Sequence, residues 1–268
     1  MEDKDLYKPL LDFPIIHGRF ICNAVLSTFE MPEVSISDDL HIATVLDKPC
    51  AHQRTIEGIN FKKGKVHVIV VDEYVKWVTK VEALKNYIEE NYNTLPKYFL
   101  YLDGIDTLIL KDIQDPKQYL DLYKCKVLFN AEPFYHHTGF AGPTFNYFDS
   151  LYTTESVRYN ELTLNKYKSQ VLMSLNAGVF LGEKEYILTL LKEAYSLMTD
   201  DFEKGFPYGC MDDQCLLRYL HNEHFDDISA DIFNQVSFWG CPTTFDETFN
   251  NYSIGYSESS FKNYINNG

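Results

Sequence analysis

The sequence predicts an α/β protein with a mostly parallel central sheet flanked by helices, and two observations support this fold class. Strand-like apolar runs alternate with helix-like segments through the middle of the chain, as expected when each helix connects two parallel strands. One run, 98–102, is continuously apolar and aromatic, which is typical of a strand buried on both faces of a sheet. Since no repeat or Gly/Ser linker divides the chain, we interpret it as one domain (20–242) between a lead-in (1–19) and a tail (243–268).

Strands are predicted where short runs are apolar and rich in β-branched or aromatic residues. These runs are 20–29, 41–46, 66–71, 98–102, 126–131, 171–181 and 228–236. The run 171–181 is interrupted at Gly178, which marks either a close approach of the backbone to a ligand or a β-bulge.

Helices are predicted where apolar residues recur at helical spacing. The clearest case is 74–91, in which one stripe contains Val75, Val78, Val81, Leu84 and Ile88. Further helices are predicted at 115–123, 184–198 and 211–221. The long segment 133–169 has no regular pattern, and we expect it to lie on the substrate side of the domain.

Two carboxylates, Asp103 and Asp106, follow the buried strand 98–102. In open α/β sheets the ligand lies outside the carboxyl ends of the strands. Hard divalent cations prefer carboxylate oxygens and bind phosphate in turn. The stretch therefore predicts a cation that carries a diphosphate. An ordinary polar turn after a core strand accounts for the same residues, and both interpretations stay open at this point.

The composition excludes several classes of function. The net charge of -15 and the absence of a basic patch longer than 62–65 argue against a nucleic-acid partner. An acidic protein that binds an anionic nucleotide needs a cation to offset its own field. The chain has no GxGxxG, no GxxxxGK[ST] and no GxSxG motif, which argues against a Rossmann dehydrogenase, a P-loop kinase and an α/β-hydrolase.

The expected location is the cytoplasm. The 6 cysteines are scattered without zinc-type spacing, which indicates free thiols in a reducing compartment. The first ten residues lack the apolar core of a signal peptide. No apolar run approaches the roughly 20 residues that span a bilayer, so we expect no integral membrane segment.

Polar residues at two predicted helix starts have a structural and a functional interpretation. Asp212 and Asp213 precede Gln214, where they either complement the helix dipole or take a proton from an acceptor hydroxyl. Lys76 lies early in the helix 74–91, where it is either solvated or neutralises a phosphate.

The order of these motifs resembles that of the metal-dependent GT-A glycosyltransferases. More narrowly, it is similar to the glycosyltransferase domain at the front of procollagen lysyl hydroxylases and to its stand-alone relatives. The resemblance covers about 20–240. It is carried by Ser27-Thr28-Phe29, Lys76-Trp77, the D-x-x-D of 103–106, the F-x-A-E of 129–132, the L-N-x-G-x-F-x-G of 175–182, the D-D-Q of 212–214 and Ile232-Phe233.

The resemblance implies a GT-A-type, Rossmann-like domain in which Asp103 and Asp106 bind Mn²⁺ or Mg²⁺. In the family a histidine just before the last Ile-Phe strand completes the metal site, but that position falls near Ile228 here. Either an aspartate such as Asp231 replaces the histidine, or the metal is held by two side chains together with water and phosphate.

For the donor, the resemblance implies a UDP-sugar held by Thr28, Phe29 and Lys76 together with Asp103 and its metal, with Asn176 beside the sugar. The implied activity is a hexosyltransferase that moves this sugar to a hydroxyl on a saccharide or a protein. Asp212 and Asp213 would then face the sugar and the acceptor.

Two alternatives remain open. One is a relative that binds a nucleotide sugar but has lost catalysis, which the missing histidine favours. The other is a metal-dependent nucleotidyltransferase, although the basic, Gly-rich N-terminal loop expected of that class is missing.

Overall fold

A computed structural model describes residues 7–47, 54–74, 77–133, 173–199, 213–231 and 234–239. The strands are β1 (Ile15–His17), β2 (Glu33–Ser35), β3 (Leu40–Asp47), β4 (Asn60–Lys63), β5 (Val66–Val71), β6 (Tyr98–Leu102), β7 (Thr107–Ile109), β8 (Val127–Pro133), β9 (Met173–Glu183), β10 (Ile228–Ala230) and β11 (Ser237–Trp239). The α-helices are α1 (Arg19–Thr28), α2 (Trp77–Glu90), α3 (Pro116–Tyr123), α4 (Lys184–Thr199) and α5 (Asp213–Glu223), and 3-10 turns span Lys8–Asp12 and Thr55–Gly58. The tail 243–268 and most of the irregular segment 133–169 lie outside the described residues.

The main sheet has six strands in the order β10-β8-β9-β6-β3-β5. Neighbouring strands are parallel except at β9, which runs antiparallel to both β8 and β6. The predicted α/β class with mostly parallel strands is therefore confirmed. The reversed direction of β9 was not predicted.

The core lies on both faces of the main sheet. The helices α2, α4 and α5 cover one face, and α1, α3 and a small sheet cover the other. Along β6, Leu100 and Leu102 pack into one cluster, whereas Phe99 and Tyr101 pack into the other. This strand is buried on both faces, as its continuous apolar sequence predicts.

The small sheet has the order β11-β1-β7 and contains residues from distant parts of the chain. β1 comes from the segment that we interpreted as a lead-in, and all three of its residues are buried. It pairs antiparallel with β7 and parallel with β11. The chain thus leaves the main sheet after β6 and enters the small sheet at β7, through the turn that contains Asp103 and Asp106.

The predicted strand 20–29 is wrong, because these residues form helix α1. Ile21, Cys22 and Val25 are buried at helical spacing, while Phe20 is 42% exposed. Short apolar runs suit a strand or a buried helix face equally well, and composition favoured the wrong one here. The helix starts at Gly18, whose φ of 124° is readily adopted only by glycine.

The predicted strand 228–236 is correct only at its start. β10 ends at Ala230, and the chain then turns into β11, which belongs to the small sheet. The other predicted strands and helices are found with their ends shifted by a few residues, and helix 211–221 is described from Asp213 onward.

The cap of α3 gives a test of the local folding rules. The Asp115 carboxylate accepts a hydrogen bond from the backbone N–H of Lys117 at 3.1 Å. Asp115→Ala removes this cap, and we expect the free energy of unfolding to fall by about 1 kcal/mol. Asp121→Ala is the control, since this exposed acid of the same helix only pairs with Lys117 and should matter by a few tenths of a kcal/mol. Equal losses in urea titrations of both variants would contradict the capping role.

Candidate cation and ligand site

The turn after β6 is held by backbone hydrogen bonds from two sides. The N–H of Asp103 donates to the carbonyl of Gly178 in β9 at 2.8 Å. The carbonyl of Asp106 accepts from the N–H of Gly18, at the start of α1, at 2.8 Å. These contacts fix both acids at the carboxyl end of β6, which is the edge where parallel sheets bind ligands.

His17 joins the two acids and forms a cluster that the sequence did not predict. Ligand atoms of His17, Asp103 and Asp106 lie within 4.8 Å of one another. The Nε2 atom of His17 is 3.4 Å from Oδ2 of Asp106, and the imidazole is buried. The third member therefore comes from β1, which pairing with β7 brings beside the turn.

One oxygen of this cluster lacks a donor. Oδ1 of Asp106 is buried and has no hydrogen-bond partner within the described part of the chain. Buried carboxylate oxygens are normally paired, because desolvating them alone is costly. A cation in contact with Oδ1 would remove this cost, so the residues present fit a bound metal ion.

Gly178 provides the space in which the cluster fits. A Cβ atom at this position would lie 2.5 Å from Nε2 of His17 and 2.9 Å from Oδ2 of Asp103, and would also meet Cε1 of His17. The register of β9 against β8 shifts here, from Phe129 opposite Phe180 to Asn130 opposite Asn176. The bulge interpretation of the interrupted run is thus confirmed, and at Gly178 the backbone also closely approaches the clustered side chains.

Lys80 is a buried cation beside the cluster. Its Nζ atom is 2.8 Å from Oδ2 of Asp213 and 3.3 Å from Oδ1 of Asp103, and it donates to the carbonyl of Ala177 at 3.1 Å. Burial disfavours the charged ammonium, but the two carboxylates outweigh this effect and raise the pKa of Lys80 above its ordinary value. The ammonium therefore stays charged and links helix α2 to β6 and α5.

A second set of polar side chains lies around Glu132. Its two carboxylate oxygens accept hydrogen bonds from Asn176 at 2.7 Å and from Gln214 at 2.6 Å. Asn176 also accepts from the N–H of Gly178, and Gln214 accepts from the N–H of Ala177. This network joins the end of β8, the bulge of β9 and the first turn of α5.

The charges of the cluster are coupled. Burial disfavours the imidazolium of His17, but Asp106, with smaller contributions from Asp103 and Glu132, raises the pKa of His17 overall. Burial also disfavours the carboxylate of Asp106, and the nearby His17 outweighs it and lowers the pKa of that acid.

The structure brings together four of the predicted site residues. Asp103 and Asp106 share the cluster, Asp213 pairs with Lys80, and Asn176 lies at the bulge beside Gly178. Lys76 and Asp212 lie outside the described residues. Lys80 lies four residues after Lys76 in the sequence, and it contacts Asp103.

We predicted that Thr28 and Phe29 lie at the end of a strand, but the structure places them at the end of a helix. Thr28 is the last residue of α1, and Phe29 follows it as the cap. The start of this helix contacts the turn through Gly18, and a rise of 1.5 Å per residue places Thr28 about 13 Å further along the axis. The structure therefore gives no support to a nucleotide contact by these two residues.

Asp231 does not join the cluster either, although we predicted it as the third ligand. One oxygen accepts hydrogen bonds from the Tyr123 hydroxyl and the N–H of Gln235, and the other from the N–H groups of Val236 and Ser237. A carboxylate offers about four acceptor positions, so its capacity is used within the turn that follows β10.

Sequence reasoning missed His17 and Lys80, although each leaves a signal. His17 ends the apolar run Ile15–His17 and precedes a glycine, as Asp103 ends the run of β6. Lys80 lies on the buried face of its helix, next to Val81 and one turn before Leu84, and both of these residues are buried. A lysine within an apolar stripe is unusual unless a buried acid pairs with it.

Comparison of the sequence with known protein families and curated proteins found no significant match. Within the described residues, no helix combines the length and the apolar composition that crossing a membrane requires.

Gly178→Ala tests whether close packing forms the cluster. The added methyl group meets the imidazole of His17, so we expect the free energy of unfolding to fall by about 1 to 3 kcal/mol and the ring signals to shift. Denaturant titration and the NMR spectrum of His17 measure these effects. Gly104→Ala is the control, since its methyl group would meet Thr44 and Leu46 and leave His17 in place. Unchanged His17 signals in Gly178→Ala would contradict the packing argument.

Asp231→Asn tests the structural role of that acid. The amide nitrogen would face at least one backbone N–H donor in either orientation, so we expect the free energy of unfolding to fall by about 2 kcal/mol. Asp227→Asn weakens only partly exposed contacts with Lys126 and with the Tyr186 hydroxyl, so it should cost under about 1 kcal/mol. If the two variants melt at the same temperature, the four hydrogen bonds of Asp231 do not stabilise the turn.

Proposed function

We propose that the protein is a metal-dependent glycosyltransferase that moves a sugar from a UDP-sugar to a hydroxyl acceptor. The observation that carries this proposal is the cluster of His17, Asp103 and Asp106 at the carboxyl end of β6. It joins paired acids, an unpartnered buried oxygen and a neighbouring glycine in one place. The motif order that resembles GT-A enzymes supports the same class.

Asp103 and Asp106 are the residues that would hold the cation. Carboxylates suit Mg²⁺ and Mn²⁺. A divalent ion bound there would supply charge that stabilises the leaving diphosphate without a proton transfer. The net charge of -15 makes such a counter-charge necessary for a doubly anionic ligand.

Asp213 is the carboxylate that we assign to the reacting centre. Its contact with Lys80 pairs it with a buried cation and fixes its orientation at the start of α5. A charged carboxylate near the anomeric carbon stabilises a transition state with oxocarbenium character. If the reaction inverts the anomeric centre, Asp213 or its neighbour Asp212 accepts the proton of the acceptor hydroxyl.

The group of Glu132, Asn176 and Gln214 is suited to binding the sugar. These side chains are linked by hydrogen bonds and lie next to the bulge at Gly178. Fixed amide and carboxylate groups distinguish sugar hydroxyls by hydrogen bonding. The buried free thiol of Cys22 agrees with a reducing compartment, and we propose the cytoplasm.

A binding protein without turnover is the second candidate. Lys80 already neutralises part of the charge on Asp103, so this acid does not depend on a metal ion for its counter-charge. In addition, the residues predicted to hold the nucleotide from the end of the first strand lie on helix α1 instead.

Thermal shift with a panel of nucleotide sugars tests the proposal, because a ligand that binds only the folded state raises its melting temperature. We expect a UDP-sugar to raise the melting temperature only when Mn²⁺ is present, and Asp103→Asn to abolish this shift. Asp38→Asn removes the same charge at an exposed position and should keep the shift.

Two results would count against the transferase. If no nucleotide sugar shifts the melting temperature with or without Mn²⁺, the glycosyltransferase proposal fails. If a UDP-sugar binds but the protein neither transfers nor hydrolyses it with saccharide acceptors, the non-catalytic candidate is preferred.

A further inference from the structure

The second ring nitrogen of His17 has a partner that constrains what the imidazole can do. Nδ1 of His17 lies 3.2 Å from the amide nitrogen of Asn130, on β8. We propose that Asn130 is a positioning residue that keeps the proton of His17 on Nε2, so that His17 supports Asp106 and does not itself coordinate the cation. This inference rests on the cation site of the proposed function.

The orientation of the Asn130 amide follows from its other contacts. Its oxygen accepts hydrogen bonds from the backbone N–H of Ala131 and from the hydroxyl of Ser237, each at 2.8 Å. A backbone N–H can only donate, so the oxygen must face Ala131 and the NH₂ group must face His17. Asn130, Ser237 and His17 are all buried, so solvent is poorly placed to replace these contacts.

The amide orientation sets the tautomer of the ring. An amide N–H donates only to a nitrogen with a lone pair, so Nδ1 of His17 carries no proton. A neutral imidazole then has its proton on Nε2, which faces Oδ2 of Asp106 at 3.4 Å. An Nε2–H group has no lone pair for a metal ion.

The direction of the hydrogen bond at Nδ1 of His17, which accepts from Asn130, is the reverse of that found in most metal-bound histidines. A metal-bound histidine normally donates its other ring N–H to a carboxylate or carbonyl oxygen. If Nε2 of His17 coordinated a cation, Nδ1–H would point at the N–H of Asn130, and the two donors would repel. The two oxygens of Asp106 therefore divide their roles, since Oδ2 takes the proton of His17 and the unpartnered Oδ1 is left for the cation.

The first experiment measures Mn²⁺ binding by the loss of the free-ion signal in electron paramagnetic resonance. His17→Gln places an amide N–H donor near the position of Nε2, so we expect it to preserve Mn²⁺ affinity within about threefold. A coordinating histidine would instead show a loss of tenfold or more, on the scale seen when metal sites lose supporting groups. Asp103→Asn is the control that should abolish binding.

The second experiment reverses the hydrogen bond at His17, so that Nδ1 donates instead of accepting. Asn130→Asp keeps an oxygen toward Ala131 and Ser237 and offers a second oxygen to Nδ1–H, which frees the lone pair of Nε2. We expect Mn²⁺ to bind about tenfold more tightly, and we expect this gain to disappear when His17→Gln is added. The melting temperature of Asn130→Asp verifies that the variant is folded.

A direct readout does not depend on any variant of Asn130. Nitrogen-15 NMR of the labelled histidine ring reports which nitrogen carries the proton. At a pH above the titration of the ring, which the same spectra report, we expect the proton of His17 on Nε2 both without metal and with saturating Mg²⁺. A proton on Nδ1, or an Nε2 that becomes metal-bound, would overturn the proposal.

The outcomes separate this inference from the proposed function. If Mn²⁺ binds and both Asp103→Asn and His17→Gln abolish binding, His17 is a ligand and only the inference fails. If wild-type protein binds no Mn²⁺, the proposed metal site fails, and the NMR spectrum of the metal-free protein still decides the tautomer that Asn130 sets.

Discussion

The turn between β6 and β7 is the constraint on which the site depends. It carries the chain out of the six-stranded sheet and into the small sheet, so its backbone cannot shift without disturbing both. The N–H of Asp103 is bound to β9, and the carbonyl of Asp106 is bound to the start of α1. The hydroxyl of Thr55 anchors the first residue of β7, because it accepts a hydrogen bond from the N–H of Thr107 and donates one to its carbonyl. The acids therefore project from a backbone held by β9, by the start of α1 and by the 3-10 turn Thr55–Gly58.

Charge is the second constraint, since the turn gathers acids in a protein that is already acidic. Two unit charges about 4 Å apart interact by roughly 4 kcal/mol at the effective dielectric of a protein surface. Lys80 offsets this repulsion between Asp103 and Asp213, because it contacts both. Glu132 is held by the neutral amides of Asn176 and Gln214. His17 faces one oxygen of Asp106, and the buried second oxygen has no hydrogen-bond donor among the described residues, so a bound cation would stabilise this acid.

The sequence predicted the features that local composition determines and missed those that depend on distant pairing. The apolar run of β6 and the two acids after it were identified because burial on both faces leaves a continuous apolar pattern. His17 could not be assigned to the site, because its place depends on pairing with β7, about ninety residues further along the chain. Helix α1 was mistaken for a strand, since ten mostly apolar residues do not distinguish the two.

Asp103 and Asp106 are held in a similar way. In each of them, protein donors among the described residues contact one carboxylate oxygen and do not contact the second. Oδ1 of Asp103 accepts from Lys80 and from the hydroxyl of Tyr101, which turns Oδ2 toward Gly178 and His17. In Asp106, Oδ2 faces His17 and Oδ1 stays without a described partner. Holding one oxygen restricts the rotation of the whole carboxylate group. The entropy cost of orienting the second oxygen therefore arises when the protein folds and not when a cation binds. A cation that enters this site would then bind ligands that are already in place, and Lys80 would not have to leave Asp103 to admit it.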